Sequence, residues 1–233
     1  HRHLPRLAVE LAGESKIAGH VFCTHDHGDR LAGVKVGQRR GIGVGGSGGK
    51  TLRAVRQGLK AKLQQEGWTE GIPEAWQFLH IDSPQTQDGL EFPAGLLPMQ
   101  DYLSIVPNGV NYATVYQSIK GSSDSKFVTD IERPLPSDKE VTVPIALGAG
   151  AYRAIGRTIA VAALSKIHAR AATAITRMQT TSADAQLNKL TKHLGFQVAG
   201  KQDPTVIIVS SIAGGSGAGM FIDVTEAVKS AAA

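Results

Sequence analysis

Three runs concentrate the glycines of this 233-residue chain: Gly41-Ile42-Gly43-Val44-Gly45-Gly46-Ser47-Gly48-Gly49-Lys50, Gly148-Ala149-Gly150, and Ala213-Gly214-Gly215-Ser216-Gly217-Ala218-Gly219. With 27 glycines in all, the chain stands well above the ~7% average, and each run opens directly into a helical pattern. Such a run between a strand and a helix suits anion binding. Glycine permits positive φ and carries no Cβ, so successive backbone N–H groups can converge on an oxyanion at close range. The helix behind adds its unpaired N–H groups and the positive end of its dipole, about 0.3–1 kcal/mol per interacting charge at exposed sites. In an open α/β sheet these turns lie along one edge, where several could surround one polyphosphate. The competing use is tight helix–strand packing, in which the missing Cβ serves contact alone.

Other residues point to other chemistries. Gly49-Lys50-Thr51 ends like the P-loop pattern G-x-x-x-x-G-K-[ST], yet the position of its first glycine holds Val44, and Gln38-Arg39-Arg40 stands where an apolar strand is expected. Gly43-x-Gly45-x-x-Gly48 fits G-x-G-x-x-G, with only Glu66 or Glu70 near the place of the acidic partner of a dinucleotide fold. Near the start, Thr24-His25-Asp26-His27-Gly28-Asp29-Arg30 resembles the T-H-x-H-x-D-H zinc motif of the metallo-β-lactamase superfamily. Its final histidine is Arg30, and His80, His168 and His193 lack the turn settings of the downstream ligands. Too few ligands gather to close a metal site. His80 reads as a core or rim histidine, Trp68 and Trp76 as packing residues, and Lys189 to His193 as a solvated helix face.

The elements that must position these residues follow from periodicity. Lys50 to Gln65 places Leu52, Val55, Leu59 and Leu63 three and four apart, an amphipathic helix. Trp76 to Ile81 is a short strand between Pro73 and Asp82-Ser83-Pro84. Residues 84–147 read as an irregular insertion with one short helix near Tyr112 to Ile119. From Tyr152 to Met178 there is no proline, and Ile155, Ile159, Ala163, Ile167, Ala171 and Ile175 recur every four residues, predicting one long buried helix. Thr205 to Ser210 is continuously apolar and β-branched, as in a central parallel strand, and Met220 to Lys229 is again helical. Strands and helices alternate, so the fold class is α/β with a Rossmann-like, mainly parallel sheet flanked by helices.

Composition excludes other classes. At 42% apolar residues the chain has material for one sizeable core or two small ones, which excludes disorder. The net charge of +5 is local: residues 1–60 carry 11 Lys and Arg against 4 Asp and Glu, and the rest 14 against 16. Aromatics are only 5%, so neither charge nor stacking residues favour a nucleic-acid partner. No stretch nears the ~20 apolar residues that span a bilayer, and no secretory signal opens the sequence. The lone Cys23 forms no internal disulfide. These features lead us to expect a cytoplasmic protein without a membrane partner.

The third run is the most specific. Ala213 to Gly219, after a strand and before a helix, resembles the signature loop G-G-G-T-G-[SA]-G of the tubulin/FtsZ superfamily, with Ala213 for the first glycine and Ser216 for the threonine. Gly43 to Gly49 is then similar to the first phosphate loop, Asp82 to the next, and Gly148-Ala149-Gly150 to the loop at the terminal phosphate. The stretch Gly148 to Arg157, with Gly43 to Lys50, resembles the bacterial tubulin-like proteins most. The resemblance covers residues 41–233, with 84–147 loosely matched, and 1–40 are left as a basic leader.

What the resemblance implies is a GTP- or GDP-binding domain with Mg²⁺, self-associating head to tail. Backbone amides of Gly45, Gly46, Ser47 and Gly48 and of Gly214, Gly215, Ser216 and Gly217 would hold the phosphates. Gly43, Gly49, Ala218 and Gly219 complete those loops, and Arg153 or Arg157 would neutralise the γ-phosphate. In the superfamily, elements beyond the signature helix hold sugar and base, and hydrolysis needs an acidic loop from a neighbouring subunit. We therefore expect residues 41–233 to be the N-terminal part of an incomplete tubulin-type domain, binding nucleotide weakly and hydrolysing none alone. A P-loop-type ATPase built on Lys50 and a non-catalytic scaffold remain the alternatives.

Overall fold

The computed structural model describes residues 23–25, 34–122, 135–196 and 204–232. The chain forms two compact units. The first takes its described residues from His1–Arg39, Ala54–Gln77 and Arg177–Thr205, the second from Arg40–Arg53, Phe78–Thr176 and Val206–Ala233. Of the leader, strands β1 (Cys23–His25) and β2 (Val34–Val36) are described and pair antiparallel. His27, Asp29 and Arg30 of the zinc-like motif lie outside the described residues.

The main sheet is parallel and four-stranded, in the order β5-β4-β3-β6. Its strands are β3 (Arg39–Val44), β4 (Trp76–Asp82), β5 (Tyr102–Ser104) and β6 (Thr205–Ser210). The helices are α1 (Gly45–Gln65), α2 (Tyr112–Lys120), α3 (Arg153–Ala162), α4 (Leu164–Met178), α5 (Thr181–His193) and α6 (Gly215–Ala232). The α/β class is as the sequence implies.

Several elements differ from expectation, each for a physical reason. An apolar strand was missing ahead of the first glycine run, yet β3 occupies that place with all six residues buried. Arg40 is fully buried there and donates from Nη1 to the Ala171 carbonyl at 2.9 Å, and burial pushes its guanidinium down to about 10. The strand's two glycines leave room for its own helix: a Cβ on Gly41 would stand 2.6 Å from Leu52 Cδ1, and one on Gly43 2.5 Å from the Gly48 carbonyl oxygen. Burial here comes from backbone approach, which hydropathy does not register.

Helices α1 and α6 begin inside the glycine runs, five residues earlier than the periodicity of each predicts. Strand β6 is not central: among the described residues it has β3 on one side only, and it is partly exposed. The long helix breaks at Ala163, whose N–H caps α3 on the Ala160 carbonyl while its own carbonyl starts α4 by accepting Ile167 N–H. The four-residue stripe survives the break, every member from Ile155 to Ile175 being buried. The segment 84–147 is less irregular than predicted. It supplies β5, whose Tyr102, Leu103 and Ser104 pair with His80, Ile81 and Asp82 of β4. It also supplies the expected α2, capped by Asn111, whose side chain accepts Thr114 N–H at 2.9 Å.

The core of the second unit joins Ile42 and Val44 of β3, Leu79 and Ile81 of β4, Ile155 and Ile159 of α3, and Met220 and Val224 of α6. In the first unit both tryptophans are buried with satisfied indole N–H groups. Trp68 donates to Gly71 O and Trp76 to Gly37 O. In α5 the face predicted as solvated is divided, since Lys189 pairs with Glu70 while Leu190 and Thr191 are buried. Among the described residues no helix is long and apolar enough to cross a membrane.

Candidate functional site

The site lies wholly within the second unit. At the end of β3 the chain turns into α1 through Gly45, whose φ of 71° is accessible to glycine at little cost. A Cβ on Gly45 would stand 2.6 Å from the amide nitrogen of Gly217, so the N-termini of α1 and α6 approach backbone to backbone. The second run closes against them. Gly148 and Gly150 have φ of 127° and 56°, the Gly150 carbonyl accepts Gly215 N–H at 2.8 Å, and Ser216 Oγ accepts Ala149 N–H at 3.2 Å.

Together these turns enclose a cavity of about 290 Å³. Of the residues expected from sequence, Gly45, Gly46, Ser47, Asp82, Gly148, Ala149, Gly150, Gly214, Gly215, Ser216 and Gly217 line it. Gly43, Gly48, Gly49, Arg153, Arg157, Ala218 and Gly219 do not. Four of these are packing glycines: a Cβ would meet the Gly48 carbonyl from Gly43, the Val209 carbonyl from Gly48, the His80 ring from Gly49, and the Arg153 carbonyl from Gly219. Arg153 donates to the Ile212 carbonyl at 3.1 Å, and Arg157 Nε lies 3.7 Å from Asp223 Oδ2. Both arginines thus have partners away from the cavity lining.

Not every cavity amide is available. Gly215 N–H is taken by Gly150, Ala149 N–H by Ser216, and Gly148 N–H by Ile145 O. In the first turns of α1 and α6, the amides of Gly46, Ser47, Ser216 and Gly217 have no carbonyl one turn back to accept them. Two helix N-termini thus offer donors to one hollow, a favourable setting for an anion with several oxygens.

Charged groups border the donors. Asp82 closes β4, 5% exposed, with Oδ1 accepting Ser83 N–H at 2.8 Å. Beneath it, His80 is fully buried; its Nε2 lies 3.1 Å from the Gly45 carbonyl, which can only accept, so Nε2 carries the proton. Tyr102 donates to Pro84 O at 2.6 Å, and burial first, then the charges of Asp82 and Asp88, push its phenol well above the usual range. Lys50 and Asp88 also line the cavity, with Nζ and Oδ2 3.2 Å apart. Asp88 was missed because it falls in the segment read as irregular, and no local pattern marks an aspartate there as facing a loop forty residues earlier. Lys50 was assigned a phosphate contact only through the P-loop pattern.

The match to known proteins agrees with this arrangement. The family model described as tubulin-like matches residues 41–233, the stretch that holds every lining residue of the cavity. No curated relative and no solved structure matches the chain. With the family model spanning most of its length, the chain belongs to the tubulin-like family.

Proposed function

We propose that this chain binds guanine nucleotides, GTP or GDP, with the polyphosphate between the N-termini of α1 and α6. The observation that carries this reading is the approach of Gly45 to Gly217, which brings two sets of helix N-terminal donors to one small polar hollow. Amides of Gly46, Ser47, Ser216 and Gly217 would hold phosphate oxygens, and the hydroxyls of Ser47 and Ser216 add donors. The loop at Gly148, Ala149 and Gly150 would face the terminal phosphate. Asp82, which lines the same cavity, would be the carboxylate available to an accompanying Mg²⁺. About 290 Å³ lies at the small end of ligand cavities, which run roughly 300–1,000 Å³, so the hollow suits phosphates more than a whole nucleotide. Family membership further supports self-association, which we take to be head to tail and in the cytoplasm, and any hydrolysis would belong to the full-length, assembled protein.

Thermal unfolding with added nucleotide tests this. A ligand at 100 times its Kd stabilises by about 2.7 kcal/mol, and we expect GTP and GDP to do so while the purified chain shows no turnover. A scaffold whose glycines only pack would show no shift. A second reading, the P-loop-type ATPase, draws on Lys50, which does line the cavity behind a buried strand. It requires ATP binding that Lys50→Ala abolishes and GTP fails to compete; competition by GTP excludes it.

A further inference from the structure

Resting on the anion-binding reading of this cavity, we propose that Asp88 is a built-in anion occupying the first phosphate position, and that an incoming phosphate enters by taking Lys50 from it. Asp88 Oδ2 lies 3.1 Å from the point where a Cβ on Gly46 would stand, beside the second residue of α1, where amides lack helical acceptors. Its partner is Lys50 Nζ at 3.2 Å. A carboxylate here stands beside the same helix end, and holds the same ammonium, that a phosphate oxygen would use. The two like charges cannot share them.

The placement of Asp88 is fixed by more than this pair. Arg53, 1% exposed, donates from Nη2 to the Asp88 carbonyl at 2.9 Å and from Nη1 to the Gly89 carbonyl at 3.4 Å, and lies 5.3 Å from the centre of the Phe92 ring. Gly89 has a φ of 66°, and a Cβ on it would stand 2.7 Å from Lys50 Cε, so the lysine stem crosses the chain where only glycine leaves room. Gly46, Lys50 and Arg53 are spaced four and three apart, one stripe of α1. The backbone of residues 88–89 is thus anchored by a buried arginine. The carboxylate and the ammonium at its edge are 46% and 37% exposed, so the pair can part without unfolding the anchor.

The test is titration of the whole chain with inorganic tripolyphosphate in magnesium-free, chelator-treated buffer, comparing wild type with Asp88→Asn. The exchange predicts about tenfold tighter binding by the variant. Lys50→Gln added to Asp88→Asn should remove most of that gain, whereas a merely structural pair would move the melting temperature and leave anion affinity alone. Asp88→Ser serves as a second variant if the asparagine folds poorly, since the Arg53 anchor uses only the backbone of residue 88. Equal or weaker binding by both variants overturns the exchange. So does weaker binding that appears only with Mg²⁺, the signature of a carboxylate bridging a cation to phosphate. GTP in parallel separates the two claims. A gain for tripolyphosphate with no GTP binding by either protein keeps the exchange and removes the guanine-nucleotide reading. GTP binding that Asp88→Asn leaves unchanged keeps that reading and removes the exchange, and no binding of either anion removes both.

Discussion

Between Gly45 and Gly217 there is no room for a side chain, since a Cβ on Gly45 would stand 2.6 Å from the Gly217 amide nitrogen. The contact is between the first turns of two helices far apart in sequence, and both glycines line the cavity. Gly45→Ala forces an L-residue into φ of 71° as well. The left-handed backbone costs roughly 1–2 kcal/mol and the clash about 1–3 more, so we expect a clear fall in the denaturation midpoint and loss of nucleotide binding. Gly214→Ala is the contrast, because nothing lies within 4 Å of its Cβ position. That variant should keep its stability within about 1 kcal/mol while the methyl group, projecting at the cavity wall, lowers affinity.

Ser216 ties the second run to the third by accepting Ala149 N–H at 3.2 Å. Ser216→Ala leaves a buried amide without its acceptor, costing about 1–3 kcal/mol in chemical denaturation. Nucleotide affinity should fall with it, and Ser216→Thr, which keeps the hydroxyl, should restore both.

Gly49 and His80 occupy complementary space: a Cβ on Gly49 would enter the imidazole ring. Gly49→Ala should destabilise by about 1–3 kcal/mol through overpacking. Gly49→Ala combined with His80→Ala should be less destabilised than the sum of the single changes, because the second removes the obstacle to the first. Additivity in that cycle would mean the two residues do not meet.

Alkaline titration reads the burial of Tyr102. Its phenol is raised in the folded state, so above pH 10 the unfolded chain loses its proton first and stability falls with rising pH. One such group contributes a slope of about 1.4 kcal/mol per pH unit. Tyr102→Phe should remove that contribution above pH 10. At neutral pH it should cost about 0.5–1.5 kcal/mol for the lost hydrogen bond to Pro84 O.

Legibility in the sequence followed the size of the side chains that do the packing. The stripe from Ile155 to Ile175 and the leucines of α1 announce their helices because large apolar groups recur at helical spacing. Strand β3 did not, since Arg39-Arg40-Gly41-Ile42-Gly43-Val44 is buried by the close approach of α1 and by a carbonyl of α4 that receives Arg40. Strand β5 is three residues long and is recognisable as a strand through its pairing with β4.

What the sequence determined by itself was the family, the α/β class and the three glycine runs, because glycine placement and hydrophobic period are local properties of the chain. Which of those glycines face a cavity and which merely admit a neighbour was decided by tertiary structure. Gly46 and Gly49 look alike in sequence, yet one borders the hollow and the other lies against His80. The same holds for the charges: Asp88 meets Lys50 through the anchoring of its backbone by Arg53, while Arg153 and Arg157 are drawn to α6 and the turn before it. A helix turn rotates each successive residue by about 100°, so neighbours in one glycine run point to different surroundings, and only the packed fold decides what each one meets.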